Sequence, residues 1–335
     1  MKVLLYFESQ KAIKKSGIGR AMRHQTEALK LANVPFTLDK NDTFDIAHIN
    51  TLFFKSKRLL KKCHKLHIPA IVHGHSTLED FRQSFRCWKL VKFWFNHQLL
   101  YMYKHADFII TPTDYSKHLI DNYQLGTPVK AISNGIDIEA YAPDENKIKA
   151  FKDYFHITDE KVVIGIGLPF IRKGIDDFFE IARAFPNVTF IWFGHLAKIL
   201  TQGKVLKAIK RRPSNVIMPG YIANDIIKGA MQYASALLFP SREETEGIVV
   251  LEALASHLCC LVRRIPVYDG WLKEGENCYM ASDVDEFIEK LNLLLSSDNT
   301  QFTNKAYEVV KTKTLDKIGQ ELKETYEYVY SSIKK

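Results

Sequence analysis

Short runs of apolar residues alternate along the chain with longer stretches in which apolar positions recur every three to four residues. Residues 3–7, 46–50, 70–73, 108–112 and 129–133 form the short runs of the first part, with amphipathic stretches at 20–32, 57–67, 79–105 and 116–123 between them. Runs that are apolar throughout suit strands buried on both faces, and the longer stretches suit helices with one buried stripe. The alternation therefore predicts right-handed βαβ units on a parallel sheet. Asn134-Gly135-Ile136-Asp137 is a turn signal, and the polar stretch at 142–149, with Pro143, marks the expected domain boundary. A second set follows, with strands at 162–167, 189–194, 216–220, 236–240 and 259–262 and helices beginning near Lys173, Ala197, Asp225, Gly247 and Asp283. Residues 314–333 spell a long helix, with Leu315, Ile318, Leu322 and Tyr326 at helical spacing, expected to pack back across the junction. The expected fold class is α/β: two doubly wound, Rossmann-like domains at 1–145 and 146–312 facing a cleft, followed by a terminal helix at 313–335. Ligands of such sheets sit beyond the carboxyl ends of the strands.

Composition narrows the reading. The chain has 335 residues, 46% hydrophobic and 25% charged, enough for two cores and inconsistent with disorder or a disulfide scaffold. No apolar run approaches the roughly 20 residues of a membrane span, and the opening stretch is too short for a signal peptide, so a cytoplasmic protein is expected. Five cysteines without a C-x-x-C pair signal neither bridges nor structural zinc. The net charge of +9 is uneven: residues 1–140 hold 21 Lys and Arg against 12 Asp and Glu, whereas the remainder holds 26 of each.

The strongest candidate for chemistry is the segment Phe239-Pro240-Ser241-Arg242-Glu243-Glu244-Thr245-Glu246-Gly247-Ile248, which runs on through Glu252 and Ala253. A strand ends at Pro240 and a helix begins near Gly247, so free backbone N–H groups and the positive end of a helix dipole face the acidic loop. Such a terminus attracts a phosphate, and carboxylates nearby accept hydrogen bonds from sugar hydroxyls. An acidic first helical turn also arises without any ligand, simply to satisfy the dipole. The pattern Pro-Ser-x-x-Glu-x-x-Gly-x-x-x-x-Glu-Ala nevertheless resembles the donor element of the retaining glycosyltransferases of family 4, which have the GT-B fold.

The resemblance covers nearly the whole chain. Gly17 and Gly19 after the first strand, Asn134 to Asp137, and Gly165-Ile166-Gly167 through Arg172-Lys173-Gly174 are similar to further landmarks of that family in the same order. It implies that Gly167, Lys173 and, in support, Arg172 hold the donor diphosphate, that Glu244 takes the donor sugar and Glu252 the ribose, and that Gly247 and Ile248 complete the helix terminus. Leu168 departs from the pattern, since family members usually carry an Arg there. His73-Gly74-His75 ends a strand. The resemblance places His75, with His73 second, beside the anomeric carbon, its backbone carbonyl steadying positive charge there while a departing phosphate oxygen takes the acceptor's proton. No cofactor or metal is implied. Asp283-Val284-Asp285 matches an Asp-x-Asp by letters, but its place ahead of a helix suits a cap.

The basic excess is clustered. Lys57, Arg58, Lys61 and Lys62 follow Phe53 and Phe54, and Phe81, Arg82, Phe85, Arg86, Trp88, Lys89 and Trp94 interleave cations with rings. On one helix Phe81, Phe85, Trp88 and Phe95 share a face, which suits an anionic membrane interface. The same stripe also suits the core face of a long helix with snorkelling cations. No nucleic-acid motif accompanies it. The pattern is most similar to bacterial transferases that extend monoglucosyl-diacylglycerol, the anchor lipid type of lipoteichoic acid. The expectation is therefore a UDP-glucose- or UDP-galactose-dependent hexosyltransferase at the inner membrane face, with a soluble polysaccharide or protein acceptor, or a weakly catalytic nucleotide-sugar binder, as alternatives.

Overall fold

The computed structural model describes residues 1–10, 17–79, 88–195, 197 and 201–333, with residues 88–91 as backbone only. Twelve strands run β1 Val3–Tyr6, β2 Phe36–Thr37, β3 Ile46–Ile49, β4 Ala70–His73, β5 Phe108–Thr111, β6 Val129–Ala131, β7 Val162–Ile166, β8 Thr189–Phe193, β9 Val216–Gly220, β10 Ala236–Phe239, β11 Cys260–Arg263 and β12 Tyr279–Ala281 among the described residues. The helices are α1 Gly17–Leu31, α2 Phe54–Lys65, α3 Trp88–Lys104, α4 Asp114–Asp121, α5 Glu145–Phe155, α6 Ile175–Arg183, α7 Gly203–Lys210, α8 Asn224–Tyr233, α9 Ile248–Ala255, α10 Val284–Ser296, α11 Thr300–Lys311 and α12 Leu315–Ile333. The chain divides into two compact units, one holding the described residues before 80, Lys89–Asp137 and the segment from Lys313 onward, the other holding Ile138–Thr312.

The first unit is built on a six-stranded parallel sheet in the order β2-β1-β3-β4-β5-β6. Its central strands are mostly apolar because both faces are covered, with His48 in β3, His73 in β4 and Thr111 in β5 as buried polar exceptions. Val3, Leu5, Ile46, Ile71 and Ile110 pack against Ala28 and Leu29 of α1 and against Ile318 and Leu322 of α12. The alternating residues Leu4, Tyr6, Ala47, Ile49 and Val72 pack against Leu59 and Leu60 of α2 and Leu99 and Met102 of α3. The expected return of the terminal helix is seen here. The Ile136 N–H donates to the Lys313 carbonyl at 2.9 Å, and α12 then crosses α1 so closely that a side chain at Gly319 would overlap the Ala28 carbonyl.

The second unit repeats the plan with the parallel order β12-β11-β10-β7-β8-β9. Phe178, Phe190 and Trp192 fill its core together with Leu238, Leu261, Phe287 and Leu291. The polar stretch at 142–149, expected to mark the boundary, lies just after the division between the units and enters a helix: Asp144 caps α5, accepting from the N–H groups of Asn146 and Lys147 at 3.0 and 3.2 Å, and the helix is polar because it buries only Phe151. The start expected near Ala197 borders residues 196 and 198–200, which lie outside the described residues, and the described helix α7 follows at Gly203. The edge strands β2 and β12, of two and three residues, are too short to be read from the sequence, and the helix α11 buries only Thr303, Ala306 and Val310, a stripe with little apolar contrast.

Candidate active site

Strands β7 and β10 pair side by side, yet β7 leads on to β8 and β10 to β11, on opposite sides of the pair. Loops that leave such a pair diverge and open a crevice at the strands' carboxyl ends. After β7 a single 3-10 turn, Ile171–Lys173, ends at Gly174 with φ +71°. A methyl group there would overlap the Pro240 carbonyl, so only glycine allows the two loops to close on each other. Backbone and side chain then join them: the Arg242 N–H donates to the Arg172 carbonyl at 2.7 Å, and Arg172 Nη1 donates to the Glu243 carbonyl at 2.8 Å.

The Lys173 ammonium meets the Glu244 carboxylate at Oε1, which also accepts from the Ser241 hydroxyl at 2.6 Å. Burial pushes the Glu244 carboxyl up, but the charges of Lys173 and Arg172 and the two hydrogen bonds outweigh it, so the group lies below the usual glutamate range. Gly247, at φ +87°, turns the chain into α9, and Ile248 is its first residue. The N-cap, Gly247, has no side chain to cap that terminus, and the positive end of the dipole faces the loop. Glu252 is 3% exposed on the second turn. Both glutamates are thus more enclosed than a solvated acidic loop would be. Gly167 lies against the methylenes of Lys173, with room for a Cβ at ordinary contact, 3.7 Å. Asp283, the rival metal ligand, caps α10 by accepting from the Glu286 N–H at 3.0 Å. Among the described residues no group of three His, Cys, Asp or Glu is placed to hold a metal.

In the first unit the divergence falls between β1 and β3, beside the start of α1. Gly17 is exposed and faces open space, while Gly19 is buried. His73 and His75 stack with ring centroids 3.9 Å apart. The Gln25 amide nitrogen donates to His73 Nδ1 at 3.1 Å, which fixes the His73 proton on Nε2. His48 Nε2 also lies 3.1 Å from that Nδ1, and His48 Nδ1 and the Tyr326 hydroxyl of α12 are hydrogen-bonded at 2.8 Å. His75 Nε2 donates to Asn50 Oδ1 at 2.9 Å. Burial holds His48 and His75 down to about 3, and His73 well below its ordinary value. The buried His73 Nε2 has no partner among the described residues.

Comparison with known proteins gives this geometry a lineage. The family model described as Glycosyltransferase Family 4 matches residues 20–140, and that described as Glycosyl transferases group 1 matches residues 146–309. The chain is 46% identical over 332 residues to a processive diacylglycerol alpha-glucosyltransferase of Acholeplasma laidlawii, covering 98% of each chain. The chain belongs to glycosyltransferase family 4. An alpha-monoglucosyldiacylglycerol synthase of the same organism is 26% identical over 74% of this glycosyltransferase and 65% of its own, longer chain. Among solved structures, Anabaena HepE in complex with UDP and glucose superposes with a TM-score of 0.78 at 17% identity, over 98% of this chain and 100% of that one. Sucrose-phosphate synthase from Thermosynechococcus elongatus gives 0.84 at 13% identity, over 99% and 100%. These likenesses establish the GT-B fold.

The glycosyltransferase's basic and aromatic surface differs from the face expected from the sequence. Phe95 is 9% exposed and packs into the core beneath α3 with Leu99, Met102 and Tyr103, because those positions form the helix's sheet-facing stripe. The exposed rings are instead Phe93 at 86%, Phe54 at 60%, Phe53 at 40% and Trp94 at 37%. Phe54 and Trp94 touch, centroids 5.1 Å apart, joining α2 to α3. Arg58, Lys61 and Lys62 are exposed on α2, and Lys57 lies half-buried with Nζ 3.6 Å from the centre of the Tyr101 ring. Phe81, Arg82, Phe85 and Arg86 lie outside the described residues, as do the side chains of Trp88 and Lys89. Sequence reasoning missed Asn50, Gln25 and His48, buried polar groups whose partners come from distant positions, and it passed over Ser241, present in the motif without an assigned task.

Proposed function

We propose that this glycosyltransferase moves a hexose, with retention, from a UDP-sugar to monoglucosyl-diacylglycerol held in a membrane. UDP-glucose is favoured over UDP-galactose because the relative matched at both chains' full length is named a glucosyltransferase. The observation that carries the donor half is the meeting of Lys173, Glu244 and Ser241 beside the glycine-capped start of α9. In this reading the Lys173 ammonium and the α9 N–H groups neutralise charge growing on the departing diphosphate, while Glu244 accepts from sugar hydroxyls and Glu252 from the ribose. The bond from the anomeric carbon to the phosphate oxygen breaks as the acceptor oxygen bonds to that carbon on the same face. The acceptor's proton passes to the departing oxygen, and UDP leaves. The role proposed for His75 is to offer its backbone carbonyl to the positive charge on the sugar. No metal takes part.

The acceptor half is supported by the diacylglycerol-directed names of the relatives and by the exposed rings among cations on α2 and α3. No helix among the described residues is long and apolar enough to cross a membrane, so contact with lipid is proposed through that surface, at the cytoplasmic face. An anchor role for lipoteichoic acid rests on the sequence resemblance alone. The test is incubation of the purified full chain with UDP-hexoses and monoglucosyl-diacylglycerol in mixed micelles, with products read by mass spectrometry and NMR. One added α-linked hexose is expected, and Lys173→Ala, folded by circular dichroism, lowers kcat/KM about 10- to 100-fold. Donor binding without UDP release, or transfer to soluble acceptors only, overturns the proposal.

A further inference from the structure

From residue 141 onward the charges balance at 26 of each sign, but they are not evenly placed. Residues 203–212 carry Lys204, Lys207, Lys210, Arg211 and Arg212 and no acid. Helix α7 turns Val205, Ala208 and Ile209 toward the core and leaves those five cations exposed. Beside it, toward α6, lies a groove of about 330 Å3 with Arg183, Lys204, Lys207 and Arg211 in its walls and Phe179 and Ala208 among its lining. Arg183 is held in place: its Nη2 donates to the Arg211 carbonyl at 2.8 Å and its Nη1 to the Phe179 carbonyl at 3.4 Å. Asp176, the one acid in the lining, is engaged by Arg242 at 2.9 and 3.1 Å. Among the described residues no carboxylate pairs with Lys204, Lys207 or Arg211. Four cations therefore converge on an apolar-floored groove with no counter-charge of their own.

We propose that this groove seats the phosphate of an anionic phospholipid headgroup, giving the second unit its own contact with a lipid surface. The inference rests on the membrane-held acceptor of the reading above. A guanidinium anchored to two carbonyls together with exposed ammonium groups suits a phosphodiester, and the apolar part of the lining suits the glycerol. A nucleic-acid site would need rings on which bases stack, and the only ring in the lining, Phe179, is 1% exposed.

The test compares the wild type with Lys204→Glu/Lys207→Glu and with Lys149→Glu/Lys305→Glu, an equal charge change at exposed positions outside the groove. Flotation uses vesicles of phosphatidylcholine with and without phosphatidylglycerol. The groove variant is expected to weaken partitioning onto phosphatidylglycerol vesicles at least about tenfold, and the control less than about twofold. Lys204→Arg/Lys207→Arg should retain binding. Turnover in non-ionic detergent micelles is expected to be unchanged in all variants, so failure of the donor chemistry would show there separately. Equal loss in both charge-reversal variants, no loss in either, or displacement of the wild type by RNA at matched ionic strength would overturn the proposal.

Discussion

Asp177 holds Arg242 through an Nη2 contact of 2.7 Å while its other oxygen receives Arg263. Arg242 stands inside the acidic loop after β10, and Asp177 stands on the first turn of α6, immediately after the turn that carries Lys173. Arg263 extends the bracket by donating from Nε to the Pro240 carbonyl at 3.1 Å. The ion network thus fixes both loops without using Lys173 or Glu244. Burial pushes the Asp177 carboxyl up against the pull of the two guanidinium groups. Asp177→Asn leaves both arginines without full compensation and is expected to cost about 2 kcal/mol or more, allowing for the partial exposure of Arg242. Urea unfolding measures that loss, and donor affinity should fall with it because the loops lose their mutual register.

Glu244 gives a pH signature. Its carboxyl lies below the usual range, so the stability it contributes is complete above the unfolded glutamate pKa and is lost as pH falls through the lower folded value. Glu244→Gln should therefore be less stable than the wild type at neutral pH, and the difference should shrink as pH drops below the ordinary glutamate range. A constant difference across that range, read by denaturant titration, would contradict the Lys173 pairing as the cause.

The histidines of the first unit act in a different window. His48 and His75 stay neutral down to about 3, whereas in the unfolded chain they take up protons near 6.5. The unfolded state then binds more protons between those values, and stability falls as pH drops from about 6 toward 4. Each such histidine contributes about 1.4 kcal/mol per pH unit. A His48→Gln variant, which keeps a hydrogen-bonding side chain beside Tyr326, should show a shallower slope by about one proton.

Gly319 tests the docking of the terminal helix. Because a side chain there would meet the Ala28 carbonyl, Gly319→Ala should push α12 off α1 and cost about 1 to 3 kcal/mol. Thermal unfolding by circular dichroism measures it. Unchanged stability would show that the two helices separate without penalty.

The exposed rings supply the membrane prediction. Phe54→Ser/Trp94→Ser removes the touching pair that joins α2 and α3 and should weaken vesicle partitioning about tenfold, with little change in folding because both rings are exposed. Phe95→Ser, by contrast, should unfold the first unit before it affects lipid contact, since that ring is part of the core.

Much of the fold was legible because a parallel sheet covered on both faces needs uninterrupted apolar strands, and runs such as Val162–Ile166 can serve little else. The acidic loop after β10 was legible as a helix start at Gly247 and by its likeness to the family's donor element, whereas the left-handed turn that Gly174 makes against Pro240 was not. The helix at Glu145–Phe155 was not, because its face buries one phenylalanine and its cap is one aspartate. Phe95 was misplaced for a related reason: helical spacing shows which residues share a face but not which way the face points.

By itself the sequence determined two apolar-stranded α/β halves, a phosphate-attracting helix start and a cationic first part, since each follows from local periodicity, glycine placement or charge count. Only the tertiary structure decided that Lys173 meets Glu244 across 71 positions, that Tyr326 closes on His48 across 278, and that Phe54 rather than Phe95 faces outward. These contacts depend on strand order and helix docking, which bring together residues that no local pattern relates.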